Sequence, residues 1–169
     1  MINVVIFASR EKDIALKRVI SHTVNTLKNI GLNYTVDIIV NGNATLAKSL
    51  KIFVDDFSFV ELFAIPVADK GNAWNQHIHK IWREDAPALY IDGYVLIDES
   101  SVVNMLKKLS GAEVLGTSGV PSNGFSARFL KRKMRSAGGF HGNCCMLSST
   151  ALQALKLNKI CLPRGMYRV

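Results

Sequence analysis

The segment LYIDGYVLIDES, residues 89–100, indicates the fold. Its apolar run, residues 89–91, ends at a carboxylate, Asp92, and a glycine, Gly93. The residues before Asp92 suit a strand that is buried on both faces. Gly93 follows and lets a ligand approach the backbone closely. A carboxylate at this place can hold a divalent metal ion or a ribose hydroxyl. It can equally be a turn aspartate that accepts nearby backbone N–H groups, so the segment alone leaves both interpretations open.

Strand and helix patterns alternate on both sides of this segment. Runs rich in apolar and β-branched residues predict strands at residues 2–8, 34–40, 58–65 and 88–91. Apolar residues at three- and four-residue steps predict helices at residues 16–30, 44–53, 72–82 and 101–109, with Gly31 as the cap that ends the first. Helical crossovers between buried strands predict an α/β fold, a three-layer α/β/α sandwich with a mainly parallel central sheet.

Polar residues follow each predicted strand, at residues 8–11, 41–43, 69–75 and 92–94. Because the carboxyl ends of parallel strands share one edge of a sheet, we expect these four loops to converge on one ligand-binding crevice.

The second half of the chain shows less regular patterns. It predicts a strand at residues 114–120, a turn at 121–124, a strongly basic stretch at 128–135, the apolar run CCML, and a helix to residue 157 that Ser148 caps. No repeat or linker separates the halves, so we expect one domain over residues 1–169.

Composition restricts the class of protein. With 169 residues, of which 49% are hydrophobic, the chain can bury the core of one domain. The formal charge of +8 favours anionic partners. Cys144, Cys145 and Cys161 have no zinc-site spacing, and we expect reduced, buried, intracellular thiols. No apolar run reaches about 18 residues and the first strand is too short for a signal peptide, which predicts a cytoplasmic location without a transmembrane segment.

The order of five phrases resembles that of family 2 glycosyltransferases, whose nucleotide-binding half has the glycosyltransferase A fold. VVIFASREKD resembles the first strand with its acidic loop, and DIIVNGNAT resembles the phrase whose second aspartate contacts uracil. ADKGNAWNQHI resembles the loop and helix "NxGxxxARNxG", and LYIDGYVLIDESSVVNMLKKL resembles the phrase that contains the DxD signature. GGFHGNCCMLSSTAL is similar to the later glycine-rich segment on the sugar and acceptor side.

This resemblance implies a nucleotide-diphospho-sugar transferase-like fold and an inverting hexosyltransferase-type activity. The donor would be a nucleoside-diphosphate sugar, with UDP expected, and the acceptor an unidentified glycan, lipid or protein. Peripheral membrane contact is compatible with this function, and nucleic acid is not an expected partner. The residues implied in nucleotide binding are Ala8, Ser9, Arg10, Glu11, Asn41, Gly42, Asn43, Asp69, Lys70, Gly71, Asn75, Asp92 and Gly93. Those implied on the sugar and acceptor side are Gly139, Gly142 and Asn143, with His141 between them.

Three departures from the family pattern affect the predicted chemistry. Asn41 replaces the uracil-contacting aspartate, and its amide oxygen can still accept a proton from a pyrimidine N3. Tyr94 replaces the second DxD carboxylate, so Asp92 is the predicted metal ligand and would hold Mg²⁺ or Mn²⁺ weakly. Lys70, Arg132 and Arg135 are the alternative means of neutralising a leaving diphosphate.

The third departure concerns the general base. Inverting members use a carboxylate, but the sequence has no Asp or Glu after Glu113, which leaves His141 as the general-base candidate beside Asp92. A histidine satisfied by backbone contacts is the alternative. Three explanations for the missing base stay open: the natural protein continues past residue 169, another subunit supplies the base, or the domain binds a nucleotide without catalysis.

Two rival functions follow from the same residues. A nucleotidyltransferase would need a glycine- and Arg/Lys-rich loop after the first strand, where this chain has SREKD. A catalytically silent nucleotide-binding or partner-docking module is supported by the missing carboxylates. The basic stretch suits a diphosphate or an anionic acceptor, or simply a solvated helix face. His77 and His79 are predicted at the surface, and Trp74 and Trp82 in the core.

Overall fold

The structure, a computed structural model, describes residues 1–83, 85–111, 113–124, 127–137 and 141–165. In these residues six strands form one sheet: β1 (Ile2–Ala8), β2 (Tyr34–Asn41), β3 (Val60–Ile65), β4 (Ala88–Asp92), β5 (Gly116–Ser118) and β6 (Cys144–Leu147). The helices are α1 (Asp13–Asn29), α2 (Ala44–Asp55), α3 (Lys70–Gln76), α4 (Glu99–Leu109), α5 (Ala127–Ala137) and α6 (Ser149–Leu157). A π-helical turn, His77–Ile81, continues α3.

The strand order is β3-β2-β1-β4-β6-β5. β1, β2, β3 and β4 pair in parallel, whereas β6 runs antiparallel to both β4 and β5. The chain moves outward from β1 to β3 and then returns to place β4 on the other side of β1. Ligands of such sheets bind at this reversal, outside the carboxyl ends of the strands. The predicted α/β fold with a mainly parallel sheet is confirmed.

Each face of the sheet is covered by helices, because the central strands carry apolar side chains on both faces. On one face α1, α2 and α4 contribute residues such as Leu16, Leu50 and Val102, all fully buried. On the other, α3 and α6 contribute Trp74 and Leu152. Full burial of a leucine or valine side chain stabilises the fold by about 1.5–3 kcal/mol. The predicted burial of Trp74 and Trp82 is confirmed, with exposed fractions of 5% and 3%.

Local signals at helix ends account for most boundaries. Gly31 follows α1 with φ +65°, as its predicted capping role requires. Asp98 caps α4 by accepting the backbone N–H of Ser101 at 2.8 Å. The helix predicted at residues 72–82 begins two residues earlier, because Asp69 accepts the backbone N–H of Asn72 at 2.8 Å. The predicted strands at 58–65 and 114–120 are shorter in the structure.

Two predictions about burial are wrong. His77 has no exposed surface, because its ring bonds the Tyr90 hydroxyl of β4 and Asn3 Oδ1 of β1 and lies 3.5 Å from Asp37 Oδ2 of β2. Cys161 is exposed, because it follows α6 on the surface, whereas Cys145 is buried and Cys144 half-buried. Burial raises the pKa of the Cys145 thiol to about 12. Over the described ranges, no helix combines the length and the apolar character that crossing a bilayer needs.

Candidate functional site

Hydrogen bonds join the loops that follow β1, β2 and β4. Asn43 Nδ2 donates to the carbonyl of Ser9 at 2.8 Å, and Asn41 Nδ2 donates to that of Ala8 at 3.1 Å. The backbone N–H of Gly93 donates to the Phe7 carbonyl at 2.8 Å. The three loops therefore lie together at the carboxyl edge, where the strand order reverses.

The loop after β1 is organised around its own carboxylate. Glu11 Oε2 accepts the backbone N–H of Ser9 at 2.6 Å and of Arg10 at 3.0 Å. A Cβ on Gly93 would lie 3.1 Å from both the Phe7 carbonyl oxygen and Glu11 Cγ. A side chain at position 93 would thus push the end of β4 away from the first loop.

Asp92 is the centre of a polar cluster at the end of β4. Its Oδ1 forms an ion pair with the ammonium of Lys70, and its Oδ2 accepts the Tyr94 hydroxyl at 3.1 Å. The Lys70 Nζ also donates to the Gly142 carbonyl at 3.3 Å. Asn143 Nδ2 donates to the Tyr94 oxygen at 2.8 Å, while the Asn143 carbonyl accepts the backbone N–H of Asp92 at 3.1 Å. The cluster ties α3, β4 and the start of β6 together.

Tyr94 stays a proton donor within this cluster. Partial burial of its phenol is the main cause that raises the pKa of Tyr94 to about 12, although the residue is 61% exposed, and the neighbouring Asp92 charge adds to it. The hydroxyl therefore keeps its proton at neutral pH and continues to donate to Asp92.

The residues around Asp92 do not fit a divalent metal ion. Mg²⁺ demands near-octahedral oxygen coordination and uses one or two carboxylates. Here both oxygens of the Asp92 carboxylate already accept donors, and position 94 supplies a protonated phenol in place of a carboxylate. Across the described part of the chain, no group of three or more His, Cys, Asp or Glu side chains lies together, so no metal site built from protein side chains alone is present there.

The loop at residues 69–75 contacts the chain's own later segment. Asn75 exchanges two hydrogen bonds with the Leu162 backbone, at 3.0 and 2.8 Å. Asp69 Oδ2 accepts the backbone N–H of Gly165 at 2.8 Å, and a Cβ on Gly71 would lie 2.9 Å from the Pro163 carbonyl. Residues 162–165 therefore cover part of the surface predicted to bind the nucleotide, and the nucleotide role of Asp69, Gly71 and Asn75 stays a prediction.

The turn after β2 is tightly packed. Asn41 is only 4% exposed. Gly42 has φ +68°, and a Cβ there would lie 2.2 Å from Ala68 Cβ. Only glycine fits this turn, which brings β2 against the loop that leads to α3.

A cavity of about 440 Å³ opens beside the Asp92 cluster, between the loops that follow β4 and β5. Its lining residues include Tyr94, Ile97, Asp98, Val120, Leu130 and His141. The Asp98 carboxylate is a weak base, because hydrogen bonds from Ser100 and then Ser101 lower its pKa. The cavity thus combines apolar walls with a few polar groups, as small-molecule sites do.

His141 lies at this cavity and is held through its backbone and its ring. Its backbone N–H donates to Ser118 Oγ at 2.8 Å, and its Nδ1 accepts the backbone N–H of Asn143 at 3.3 Å. In a neutral ring with this bond, the proton is on Nε2. Gly139, also predicted for this side of the site, lies outside the described residues.

The helix α5 forms a basic wall next to the cavity. Ala127 and Leu130 line the cavity, whereas Arg128, Lys131 and Arg132 are exposed. The predicted basic stretch is thus a helix with one apolar side against the cavity. The side chain of Arg135 lies outside the described part of the structure.

Sequence reasoning did not find the ion pair between Lys70 and Asp92 or the bond between Tyr94 and Asn143. Both pairs are far apart along the chain, by 22 and 49 residues, so no local pattern relates them. The nearest sequence signal for these contacts is Tyr94, which stands where the DxD signature has its second carboxylate. With one negative charge fewer, Asp92 can form an ion pair with a single cation.

No protein-family model and no curated protein matches the sequence, whereas solved structures match its architecture. A mannosyltransferase from Pyrobaculum calidifontis, in complex with GDP-Man and Mn²⁺, matches with a TM-score of 0.73 and 14% identity, over 96% of this chain and 47% of its own. TarS of S. aureus in complex with UDP matches with a TM-score of 0.61 and 12% identity, over 96% and 50%. The fold is that of the nucleotide-diphospho-sugar transferases.

A 4-diphosphocytidyl-2C-methyl-D-erythritol synthase has the same fold, with a TM-score of 0.55 and 14% identity over 96% of this chain and 86% of its own. This chain spans about half the length of the mannosyltransferase chain and of the solved TarS chain, which comprises residues 1–349. A cytidylyltransferase from Leptospira borgpetersenii also matches, with a TM-score of 0.54 and 10% identity over 96% of this chain and 65% of its own. Proteins named for sugar transfer and for cytidylyl transfer thus share this architecture, and the site has to distinguish between the two activities.

Proposed function

We propose that this nucleotide-diphospho-sugar transferase-like domain binds a nucleoside-diphosphate sugar between the ends of β1 and β4. It transfers the sugar to an acceptor in the adjoining cavity. The observation that carries this proposal is the continuity of the Asp92 cluster with the cavity, since Tyr94 and Asn143 belong to both. A donor whose diphosphate lies at Asp92 would thus point its sugar toward the cavity.

For the nucleotide half we propose UDP, bound by the loop at residues 8–11 and by Asn41. The bond from Asn41 Nδ2 to the Ala8 carbonyl orients the amide and makes Oδ1 the atom that would accept the uracil N3 proton. Two proteins of the same fold were solved with UDP or GDP-Man, which supports a nucleoside-diphosphate donor.

For the chemical step we propose an inverting displacement. The acceptor hydroxyl attacks the anomeric carbon opposite the diphosphate, the bond from that carbon to the diphosphate oxygen breaks, and the hydroxyl proton passes to a base. His141 is the proposed base. Because its Nδ1 accepts the Asn143 N–H, the ring has to release that bond before Nε2 can become the unprotonated nitrogen.

The acceptor we propose carries a negative charge. Exposed Arg128, Lys131 and Arg132 stand on the helix that walls the cavity, and acidic residues are absent from the sequence after Glu113. A phosphorylated lipid or an acidic glycan would provide the negative charge that complements these basic side chains. Peripheral contact with an anionic membrane would bring such a lipid close to the cavity.

A nucleotide panel tests the proposal by thermal stabilisation of the chain with UDP, GDP, CTP and uridine. A ligand at a hundredfold over its dissociation constant adds about 2.7 kcal/mol to the free energy of unfolding. Preference for a nucleoside diphosphate supports sugar transfer. Preference for CTP favours nucleotidyl transfer, and no stabilisation by any nucleotide contradicts both.

Asn41→Asp provides a matched variant, because it restores the carboxylate that the resembling family has there. UDP should bind this variant more tightly than the wild type, whereas Asn158→Asp, an exposed change of the same kind, should leave UDP binding unchanged. Equal effects of the two variants would count against a uracil contact at position 41.

A further inference from the structure

The ammonium of Lys70 has a fixed position at the place where the donor's diphosphate is proposed to bind. Lys70 begins α3, and its Nζ reaches Asp92 Oδ1 at the end of β4 and the Gly142 carbonyl before β6. The same atom lies 5.8 Å from the centroid of the Phe7 ring in β1. Its side chain is 19% exposed, so the charge is largely withdrawn from water but not fully buried.

The occupancy of Oδ1 by this ammonium has an electrostatic consequence. A divalent ion bound to the same oxygen would lie next to the Lys70 ammonium. Two neighbouring cations repel each other strongly when they are partly removed from water. Oδ2 offers no better place, because it accepts the protonated Tyr94 hydroxyl. The Lys70 ammonium therefore already neutralises the Asp92 carboxylate, which disfavours a second cation there.

A diphosphate in this crevice needs a cation to offset its charge, both when it binds and when it leaves. Charge-assisted hydrogen bonds from an ammonium to phosphate oxygens are roughly twice as strong as neutral ones. Asp92 and the Gly142 carbonyl aim the Lys70 ammonium at one position, so the ligand does not have to order the lysine side chain on arrival.

We propose that Lys70 is the resident cation of this site and that nucleoside diphosphates bind to it without a divalent metal ion. Asp92 is then a positioning residue for Lys70. This inference rests on the proposed function, because it concerns the diphosphate of the proposed donor.

The first experiment compares the dissociation constants of UDP and GDP for the full chain in excess EDTA and in Mn²⁺ or Mg²⁺, by isothermal titration calorimetry. The expected result is binding in EDTA, with constants that agree within about twofold among the three conditions. Binding that appears only with metal, or that tightens tenfold with it, overturns the inference but leaves the proposed function in place. An absence of binding in all conditions overturns the proposed function and this inference with it.

The second experiment uses Lys70→Ala, Lys70→Arg and the control Lys107→Ala, which removes the same charge from the exposed face of α4. Lys70→Ala should weaken UDP binding in EDTA about ten- to hundredfold while leaving uridine binding unchanged, because uridine has no phosphate. Lys70→Arg should recover part of this loss, and Lys107→Ala should match the wild type. Equal UDP affinities for the wild type and a folded Lys70→Ala overturn the inference.

Mn²⁺ titration followed by electron paramagnetic resonance gives a readout that needs no nucleotide. The wild type should show no Mn²⁺ site that depends on Asp92. A bound-Mn²⁺ signal in the wild type that disappears in Asp92→Asn would overturn the inference, even if Lys70→Ala fails to fold.

Discussion

His77 Nδ1 and the Tyr90 hydroxyl are hydrogen-bonded at 3.0 Å inside the protein, between the π-helical turn and β4. His77 Nε2 lies 2.8 Å from Asn3 Oδ1, and Asn3 Nδ2 donates to Asp37 Oδ2 at 2.7 Å. All four residues are at most 1% exposed. In such a network each group depends on its neighbours for partners, because water cannot replace them.

Removal of His77 should therefore destabilise the fold. His77→Ala leaves a cavity and deprives Asn3 and Tyr90 of partners, and we expect the free energy of unfolding to fall by about 2–4 kcal/mol in urea denaturation. His79→Ala is the matched control, since this half-buried ring bonds only the Ile160 carbonyl among the described residues apart from a contact with Cys161 Sγ. Its effect should be within about 0.5 kcal/mol. Similar losses for the two variants would refute the network's contribution.

The same histidine predicts a dependence of stability on pH. Burial lowers the pKa of His77 below its ordinary value of 6.5, although Asp37 opposes this shift. As the pH falls below about 6.5, the unfolded chain takes up a proton that the folded chain refuses, so stability decreases on acidification. This contribution is at most about 1.4 kcal/mol per pH unit. Between pH 7 and pH 5 the wild type should lose more stability than His77→Gln, and parallel curves would contradict the assignment.

A comparison of Gly42→Ala with Gly31→Ala measures how tightly the turn after β2 is packed. Both have φ near +65°, but a Cβ on Gly42 overlaps Ala68, whereas one on Gly31 meets no atom within 4 Å. Gly31→Ala should cost about 1 kcal/mol for the backbone alone. Gly42→Ala should cost a further 1–3 kcal/mol or so, because the loop must move. Chemical denaturation of both variants measures the difference, and equal losses would show that the turn relaxes freely.

The contacts of Asn75 with Leu162 predict local protection of residues 162–165. Asn75→Ala removes both bonds, so the backbone amides of Leu162 and Gly165 should exchange with deuterium faster, by about tenfold for each 1.4 kcal/mol of lost protection. Hydrogen-exchange mass spectrometry on the peptide that contains them provides the measurement. Asn158→Ala, which loses only a bond to the Ala154 carbonyl at the end of α6, is the control. Unchanged exchange in Asn75→Ala would mean that other contacts hold the segment.

The fold was predictable because β1, β2 and β4 consist mostly of apolar residues, which suit a sheet covered on both faces. The burial of His77 was not predicted, because its spacing from His79 indicates only that the two rings point apart. Asp37 was the available clue: a carboxylate within a buried strand requires a buried partner from elsewhere in the chain. The presence of Asp37 does not, however, indicate which residue is its buried partner or how far away along the chain that residue lies.

The cavity was also beyond sequence reasoning. It depends on β5 and β6, which have three and four residues and pair antiparallel with each other and with β4. Strands of this length carry too few alternating positions to show a period. The predicted polar loops of the parallel half, by contrast, follow from strand ends alone, and their binding roles remain predictions.

The position of β1 in the sheet affects how the chain can fold during synthesis. Of the six strands of the sheet, β1 is synthesised first, yet it pairs on one side with β2 and on the other with β4, where Asn3 lies opposite Ala88. Until β4 emerges, one hydrogen-bonding edge of β1, whose residues are apolar except for Asn3, stays open to other chains. Nascent chains that stop before residue 88 should therefore be the species most dependent on chaperones.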